Sequence, residues 1–255
     1  MNENKKNEAK QEIEQYFIQN NIQYQKNPII IGRFNPDFVI KDNITVEVKY
    51  IENEKNALDP STERVNIYNA IIRNALLNKI YPGKYKNVLI IKRKFESASS
   101  ANFLHNNLLF DLFIPSHHLE FFKKYIDGAN REMIFFALLD TLYEEDWSKR
   151  DTHFPAVIYG FLKSIDEKKI KTVTQYVKIS KYGVSAQVYL SSVMSILQKL
   201  NIIKKEKEGR NVIITIMNKK WRHFVYLNLL CQGKFDSIPV ENLLDIFNKI
   251  CKLFE

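Results

Sequence analysis

Residues 35–50 constrain the fold more than any other stretch of the sequence. Two β-prone runs, residues 38–40 and residues 44–50, are separated by Lys41-Asp42-Asn43. Asp and Asn favour turns because they tolerate left-handed backbone conformations and hydrogen-bond to their own chain. The stretch therefore predicts a β-hairpin. Because side chains alternate between the two faces of a strand, one face of its second arm is apolar and can be buried, and it carries Ile44, Val46 and Val48.

The opposite face of the second arm carries Thr45, Glu47 and Lys49, and Asp37 stands at the mouth of the neighbouring arm. Two carboxylates on adjacent strand ends can bind a hard cation such as Mg²⁺, which keeps several of its waters. A lysine one pleat away from Glu47 can orient or help deprotonate a metal-bound water, and it can neutralise charge as a phosphodiester is attacked. The alternative is an ordinary hairpin in which Glu47 forms a weak surface pair with a lysine.

The spacing of these residues resembles a known nuclease signature. Pro36-Asp37, nine further residues and Glu47-Val48-Lys49 are similar to the PD-(D/E)xK motif of restriction endonucleases, Holliday-junction resolvases and related enzymes. The resemblance implies that Asp37 and Glu47 bind Mg²⁺ and that the backbone carbonyl of Val48 is a further ligand. It also implies that Lys49 assists the attacking water.

Two helices beside the motif offer further candidates. Residues 8–20 have the apolar spacing of an amphipathic helix, and many nucleases of this superfamily carry an acid on the first helix, aimed at the metal. Glu12 is the candidate catalytic acid and Glu8 the second choice, while a solvated helix acid remains the alternative for both. In several branches the helix after the Glu-x-Lys strand offers a polar residue to the site, which makes Arg64 a candidate phosphate contact and DNA-binding residue.

The order of elements predicts an α/β fold. A helix, short β-prone runs, the hairpin, a second helix and the continuous apolar run at residues 87–91 indicate a mixed sheet flanked by helices, in agreement with a restriction-endonuclease-like core. Asp127-Gly128-Ala129-Asn130 is the best boundary. We therefore predict a nuclease domain at residues 1–127, a connecting helix within residues 128–154, and a second, mostly helical domain at residues 155–255.

The second domain resembles a winged helix-turn-helix. Predicted helices at residues 155–164, 172–178 and 186–200, with a Gly-containing turn before the third, are followed by a charged hairpin tip at residues 204–210 and a strand at residues 211–216. If the domain binds DNA, the third helix would enter the major groove and the wing would contact phosphates. The expected DNA-binding residues on this helix lie off the predicted buried stripe: Gln187, Tyr189, Ser191 and Ser192. Those on the wing are Lys204, Lys205, Lys207 and Arg210.

Charge and cysteine content limit the class of protein. The net charge is +9, and residues 160–222 hold fourteen Lys or Arg against four Asp or Glu, so the basic excess lies in the second domain and favours a polyanion partner. Cys231 and Cys251 form neither a zinc pattern nor a disulfide framework, which favours a reducing cytoplasm. No apolar run is long enough for a membrane span, and the first ten residues are too polar for a signal peptide.

The resemblance implies a Mg²⁺-dependent endonuclease that hydrolyses phosphodiester bonds in double-stranded DNA, most naturally a type II restriction endonuclease. Because one active site cuts one strand, a double-strand break would require a homodimer or a partner. A competing function is the nuclease subunit of a Tn7-like transposon, which also looks like a PD-(D/E)xK domain followed by a winged helix and acts with partner proteins. A non-catalytic winged-helix DNA-binding regulator and a protein-binding adaptor are the two rival functions that involve no cleavage.

Overall fold

The structure, a computed structural model, describes residues 3–30, 32, 35–51, 63–93, 110–144, 153–180, 182–231, 235 and 238–254. The described residues up to Ile134 form one compact unit, and those from Phe135 onward form a second. The division between Ile134 and Phe135 falls inside the helix Arg131–Glu144. This helix lies in residues 128–154, the segment that the sequence predicts to connect the two domains.

The first unit is an α/β structure with a mixed five-stranded sheet, as the sequence predicts. Strands run in the order β1-β2-β3-β4-β5; β1, β2 and β3 are antiparallel neighbours, whereas β3, β4 and β5 are parallel. Its elements are α1 (Glu3–Gln19), β1 (Tyr24–Lys26), β2 (Phe38–Ile40), β3 (Ile44–Ile51), α2 (Glu63–Ile80), β4 (Lys86–Arg93), β5 (Leu112–Pro115), a 3₁₀ turn (Ser116–His118) and α3 (Leu119–Ile126).

The predicted hairpin forms between β2 and β3. Phe38 lies opposite Val46 and Ile40 lies opposite Ile44, and the turn between the strands places Lys41 at φ 49° and Asp42 at φ 61°. These left-handed conformations account for the polar turn residues, which tolerate them better than β-branched residues do. β3 then pairs in parallel with β4, whose central apolar run is buried, as expected for a strand covered on both faces.

Aromatic packing assigns the two faces of β3. Phe17 of α1 contacts Phe38 with ring centroids 5.2 Å apart and Phe122 of α3 at 5.5 Å. Residues directly opposite each other on an antiparallel pair point to the same face, so Val46 shares the face of Phe38. Helices α1 and α3 therefore cover the apolar face of the hairpin, which is buried as the sequence predicts.

The other face of β3 is polar and lies against α2. Thr45 Oγ1 donates a 2.7 Å hydrogen bond to Asn87 Oδ1 on β4, and Asn87 Nδ2 donates a 3.3 Å bond to Asn78 on α2. Thr45 and Asn87 are buried, and buried polar groups are tolerated when they are hydrogen-bonded in this way. Glu47 and Lys49 follow Thr45 on the same face, so the candidate site lies along this layer between β3 and α2.

The second unit is mostly helical. Its elements are α4 (Arg131–Glu144), which begins in the first unit, α5 (His153–Asp166), α6 (Val173–Ile179), α7 (Gly183–Lys199), an antiparallel hairpin of β6 (Ile203–Glu208) and β7 (Asn211–Ile216), α8 (Trp221–Leu230) and α9 (Val240–Phe254). Thr172 caps α6 through a capping box with Gln175. The helices α5, α6 and α7 are followed by the β6–β7 hairpin, and this is the order that the sequence predicts. The assignment of this unit to the winged-helix fold stays a prediction.

Aromatic residues build the core of the second unit. Phe135 of α4 contacts Tyr226 of α8 with ring centroids 4.7 Å apart and Phe254 of α9 at 4.8 Å. Trp221 is fully buried and donates from its indole nitrogen to Asp166.

Among the described helices of the chain, none combines the length and apolar character needed to cross a lipid bilayer.

Candidate functional site

Asp37 is held in place by contacts from two elements. Its Oδ2 accepts a 2.7 Å hydrogen bond from the backbone N–H of Val48, the residue between Glu47 and Lys49. Its Oδ1 lies 2.5 Å from Nζ of Lys10 on α1. The side chain is only 8 % exposed, so this carboxylate is fixed at the edge of β3 next to the Glu-x-Lys segment.

Glu47 is a buried carboxylate with one oxygen left open. Its Oε2 accepts a 2.7 Å hydrogen bond from Lys49 Nζ. Its Oε1 is buried and has no hydrogen-bond partner among the described residues, and the guanidinium Nη1 of Arg73 on α2 lies 3.9 Å from it. A buried carboxylate oxygen without a donor is costly in a folded protein, so this atom is suited to bind a ligand.

The charges of the site are arranged in two layers. Asp37 and Glu47 are buried, whereas Lys10, Lys49 and Arg73 each expose a fifth or more of the side chain to solvent. Three cations and two anions give this cluster a net charge of +1. The buried carboxylates can bind a metal ion, and the partly exposed cations can bind the phosphate of an anionic ester next to it.

The residues present fit Mg²⁺. Mg²⁺ needs only one or two protein carboxylates because it keeps several waters, and Asp37 and Glu47 supply two. Oε1 of Glu47 accepts no hydrogen bond from the described residues, so this oxygen is available to a ligand. In the described ranges no three His, Cys, Asp or Glu side chains come together, so a Mg²⁺ ion at these two carboxylates would rely on waters for most of its ligands.

The first helix contributes Lys10 to the site, whereas Glu12 lies elsewhere. The carboxylate of Glu12 contacts the ammonium of Lys92 on β4. Lys92 lies opposite Tyr50 in the parallel register, so this pair is on the apolar face of β3, away from Glu47. Lys10 and Glu12 are about 200° apart around the helix, which explains why only one of them reaches Asp37. The contact that the structure shows for Glu12 is with Lys92 and not with Asp37 or Glu47, so its catalytic role stays a prediction, and Glu8 is exposed.

On α2 the residue brought to the site is Arg73. The backbone of Arg64 lies in the first turn of α2, and its side chain lies outside the described residues. Arg73 follows buried Ala70 by three residues and borders the buried stripe that continues to Leu77. No spacing within the sequence pairs Arg73 with Glu47, because their approach depends on how α2 packs along β3.

On α7 the structure separates Tyr189 from the other candidate DNA contacts. Gln187, Ser191 and Ser192 are exposed, as expected. Tyr189 is buried and its hydroxyl donates to Oδ1 of Asn228 on α8. Burial raises the pKa of Tyr189. The expectation that Tyr189 lies off the buried stripe is wrong, because it falls three residues after buried Ala186 and so belongs to the stripe itself.

The three lysines of the β6–β7 hairpin differ in their surroundings. Lys204 lies 2.6 Å from Glu206 of the same strand, which offsets its charge. Lys205 lies opposite buried Ile214, and desolvation lowers its pKa. Lys207 and Arg210 are exposed, and Arg210 stands at the tip with Gly209, whose φ is 59°. Most of the expected tip is therefore strand, and Lys207 and Arg210 are the exposed cations of the hairpin for which no carboxylate partner is seen among the described residues.

Searches for related proteins add no family to these observations. No protein-family model, no curated protein and no solved structure matches the chain. What supports a function is therefore the set of contacts around Asp37 and Glu47, together with the basic second unit.

Proposed function

We propose that this protein is a Mg²⁺-dependent DNA endonuclease, most simply a type II restriction endonuclease that hydrolyses phosphodiester bonds in duplex DNA. The observation that carries the proposal is the buried Oε1 of Glu47, to which no described residue donates a hydrogen bond although Lys49 donates to Oε2 of the same carboxylate. An ordinary structural salt bridge would not require a buried carboxylate with an open oxygen.

In this proposal Asp37, Glu47 and the carbonyl of Val48 hold Mg²⁺, which when bound supplies an acidified water and stabilises charge on the phosphate. Lys49 is held by Oε2 of Glu47 and is 21 % exposed, so its Nζ can accept or donate a proton at the attacking water and approach the phosphate. Arg73 is 44 % exposed, so its guanidinium can donate to phosphate oxygens that approach from solvent.

The second unit would bind the DNA. Its exposed residues Lys207 and Arg210 can contact phosphates, which position a protein on DNA without reading sequence. Gln187, Ser191 and Ser192 present hydrogen-bonding groups on the exposed face of α7, and Gln can read adenine in the major groove. Because one active site cuts one strand, we propose that the protein acts as a homodimer.

A digest tests the proposal directly. Mixed plasmid and phage DNA, methylated and unmethylated, would be incubated with wild-type protein in Mg²⁺ or EDTA, beside Lys49→Ala and the control Lys26→Ala. Lys26 also pairs with a carboxylate 2.5 Å away, Glu14, but that carboxylate lies outside the site. Discrete fragments are expected with Mg²⁺ for the wild type and Lys26→Ala, and none for Lys49→Ala.

The same digest separates the competing functions. Fragments that form in EDTA, or that persist in Lys49→Ala, would reject a metal-dependent mechanism at this site. DNA binding without cleavage of any substrate would instead favour a Tn7-like transposon-end nuclease that needs partner proteins, or a non-catalytic regulator. The first of these would recover cleavage when partner proteins are added, and the second would not.

A further inference from the structure

Lys10 is the internal counter-ion of Asp37. Its ammonium lies 2.5 Å from Oδ1 of Asp37, and its side chain is 34 % exposed while that of Asp37 is 8 % exposed. A lysine has a flexible four-carbon stem, so its head group can leave the carboxylate and turn to solvent without moving the helix.

The two oxygens of Asp37 are not equivalent. Oδ2 accepts from the backbone N–H of Val48, which is part of β3 and cannot move aside independently. Oδ1 is held by the flexible side chain of Lys10. A cation that binds Asp37 through Oδ1, the oxygen whose partner can move away, therefore takes the place of Lys10.

Resting on the proposed function, we propose that Lys10 competes with the divalent cation for Asp37 and so sets the metal affinity of the site. The site already carries a net charge of +1 from Lys10, Lys49 and Arg73 against Asp37 and Glu47. Adding a divalent cation to such a cluster is opposed by repulsion until one cation leaves or an anionic phosphate arrives. DNA binding, by attracting Lys10 to a phosphate, then promotes metal binding.

Calorimetric titration of Mg²⁺ into metal-stripped protein without DNA tests this competition independently of cleavage. Lys10→Met and Lys10→Gln remove the charge, and we expect each to raise the Mg²⁺ affinity by about tenfold or more, the change that about 1.4 kcal/mol produces. Lys10→Arg keeps the charge and should bind as the wild type does.

Two controls assign the effect to this site. Lys26→Met removes a lysine from an equally short pair with Glu14, and we expect it to leave the Mg²⁺ affinity unchanged. Adding Asp37→Asn to Lys10→Met should remove the gain in affinity. Equal affinity of the wild type and both neutral variants, or weaker binding by those variants, would overturn the role of Lys10.

Plasmid cleavage by the wild type, measured in parallel, separates this inference from the proposed function. If the wild type cleaves DNA but Lys10→Met and Lys10→Gln bind Mg²⁺ with the affinity of the wild type, competition by Lys10 is rejected and the endonuclease function is retained. Tighter Mg²⁺ binding by Lys10→Met with no cleavage of any DNA keeps the competition and rejects the endonuclease. Absence of Mg²⁺ binding by every variant, combined with absence of cleavage, rejects both.

Discussion

Glu47 is a buried carboxylate, and burying a charged group lowers the stability of a folded protein. The cost can be measured as a change in the free energy of unfolding when the residue is replaced. The carboxylate is buried, and one of its oxygens accepts no hydrogen bond from the described part of the chain. Functional sites often keep such groups at a cost in stability, because the same features that destabilise the fold bind the ligand.

Replacing Glu47 by Gln should separate stability from activity. The amide keeps the shape of the side chain, its oxygen can still accept from the partly exposed Lys49, and a buried charge is removed, so we expect the free energy of unfolding to stay equal or rise by about 1 kcal/mol. Cleavage should fall by at least about a hundredfold, the scale on which removing one electrostatic stabiliser acts. Denaturant unfolding and plasmid cleavage measure the two quantities. A variant that unfolds more easily while still cutting DNA would contradict both expectations.

Tyr189 is a structural residue, and Tyr189→Phe should show it. At neutral pH the change leaves Oδ1 of Asn228 without its donor and should cost about 1 kcal/mol, while DNA affinity stays unchanged. Burial raises the pKa of Tyr189 above the usual value of 10.0, so the folded state keeps the phenol proton after the unfolded chain has lost it. Its contribution to stability is therefore complete below about pH 10 and declines as the pH rises beyond that value.

Chemical denaturation at pH 7 and pH 10.5 would measure this alkaline loss. We expect Tyr189→Phe to lose less stability between the two pH values than the wild type does. Tyr81→Phe, at an exposed tyrosine, is the control and should follow the wild type. An alkaline loss as steep in Tyr189→Phe as in the wild type would contradict the assignment.

At the scale of single elements, the β6–β7 hairpin offers a test of DNA contact. Lys204, Lys207 and Arg210 are exposed, and of these Lys204 is paired with Glu206, whereas Lys205 is half-buried. The double change Lys207→Ala and Arg210→Ala should weaken binding similarly for all sequences and lower the slope of log K against log salt by about 2. Lys249→Ala, at a lysine paired with Asp245 on α9, should leave the slope unchanged. An unaltered slope in the double variant would exclude the hairpin from the DNA interface.

Elements with strong local signals were predictable from the sequence. The alternation of residues 44–50 and the polar turn at Asp42 specified the hairpin, and the continuous apolar run specified β4 as a buried strand. The capping box of Thr172 at the start of α6 is likewise a local pattern. These features depend on neighbours within a few residues, which a sequence displays directly.

The remaining site residues depend on rotation and packing between elements. Glu12 and Lys10 are two residues apart on the same helix, and only the docking of α1 on the sheet decides which of them reaches Asp37. Arg73 approaches Glu47 because α2 crosses back along β3, a relation that no spacing within the sequence states. Tyr189 was misplaced because its hydroxyl suits either a surface or a buried partner, and Asn228, thirty-nine residues away, supplies the latter.

For the whole molecule, the proposed homodimer makes a prediction about strand cleavage. If each copy cuts one strand, mixing wild-type protein with excess Lys49→Ala forms dimers that contain one active site. Supercoiled plasmid should then accumulate as nicked circles, whereas the wild type alone gives linear DNA. Gel electrophoresis at increasing mixing ratios measures the shift, and Lys26→Ala in place of Lys49→Ala serves as the control. Linear DNA that declines without nicked circles would contradict a dimer with one cut for each copy.

The hydrogen bond from Val48 to Asp37 also makes one backbone amide a spectroscopic reporter. Its proton is shared with a carboxylate at 2.7 Å, and short bonds to charged acceptors deshield the donor proton. In a nuclear magnetic resonance spectrum of ¹⁵N-labelled protein, the Val48 resonance should lie downfield and move when the electron density on Asp37 changes. Its displacement during a titration would follow events at the carboxylate even under conditions in which no bond is cut.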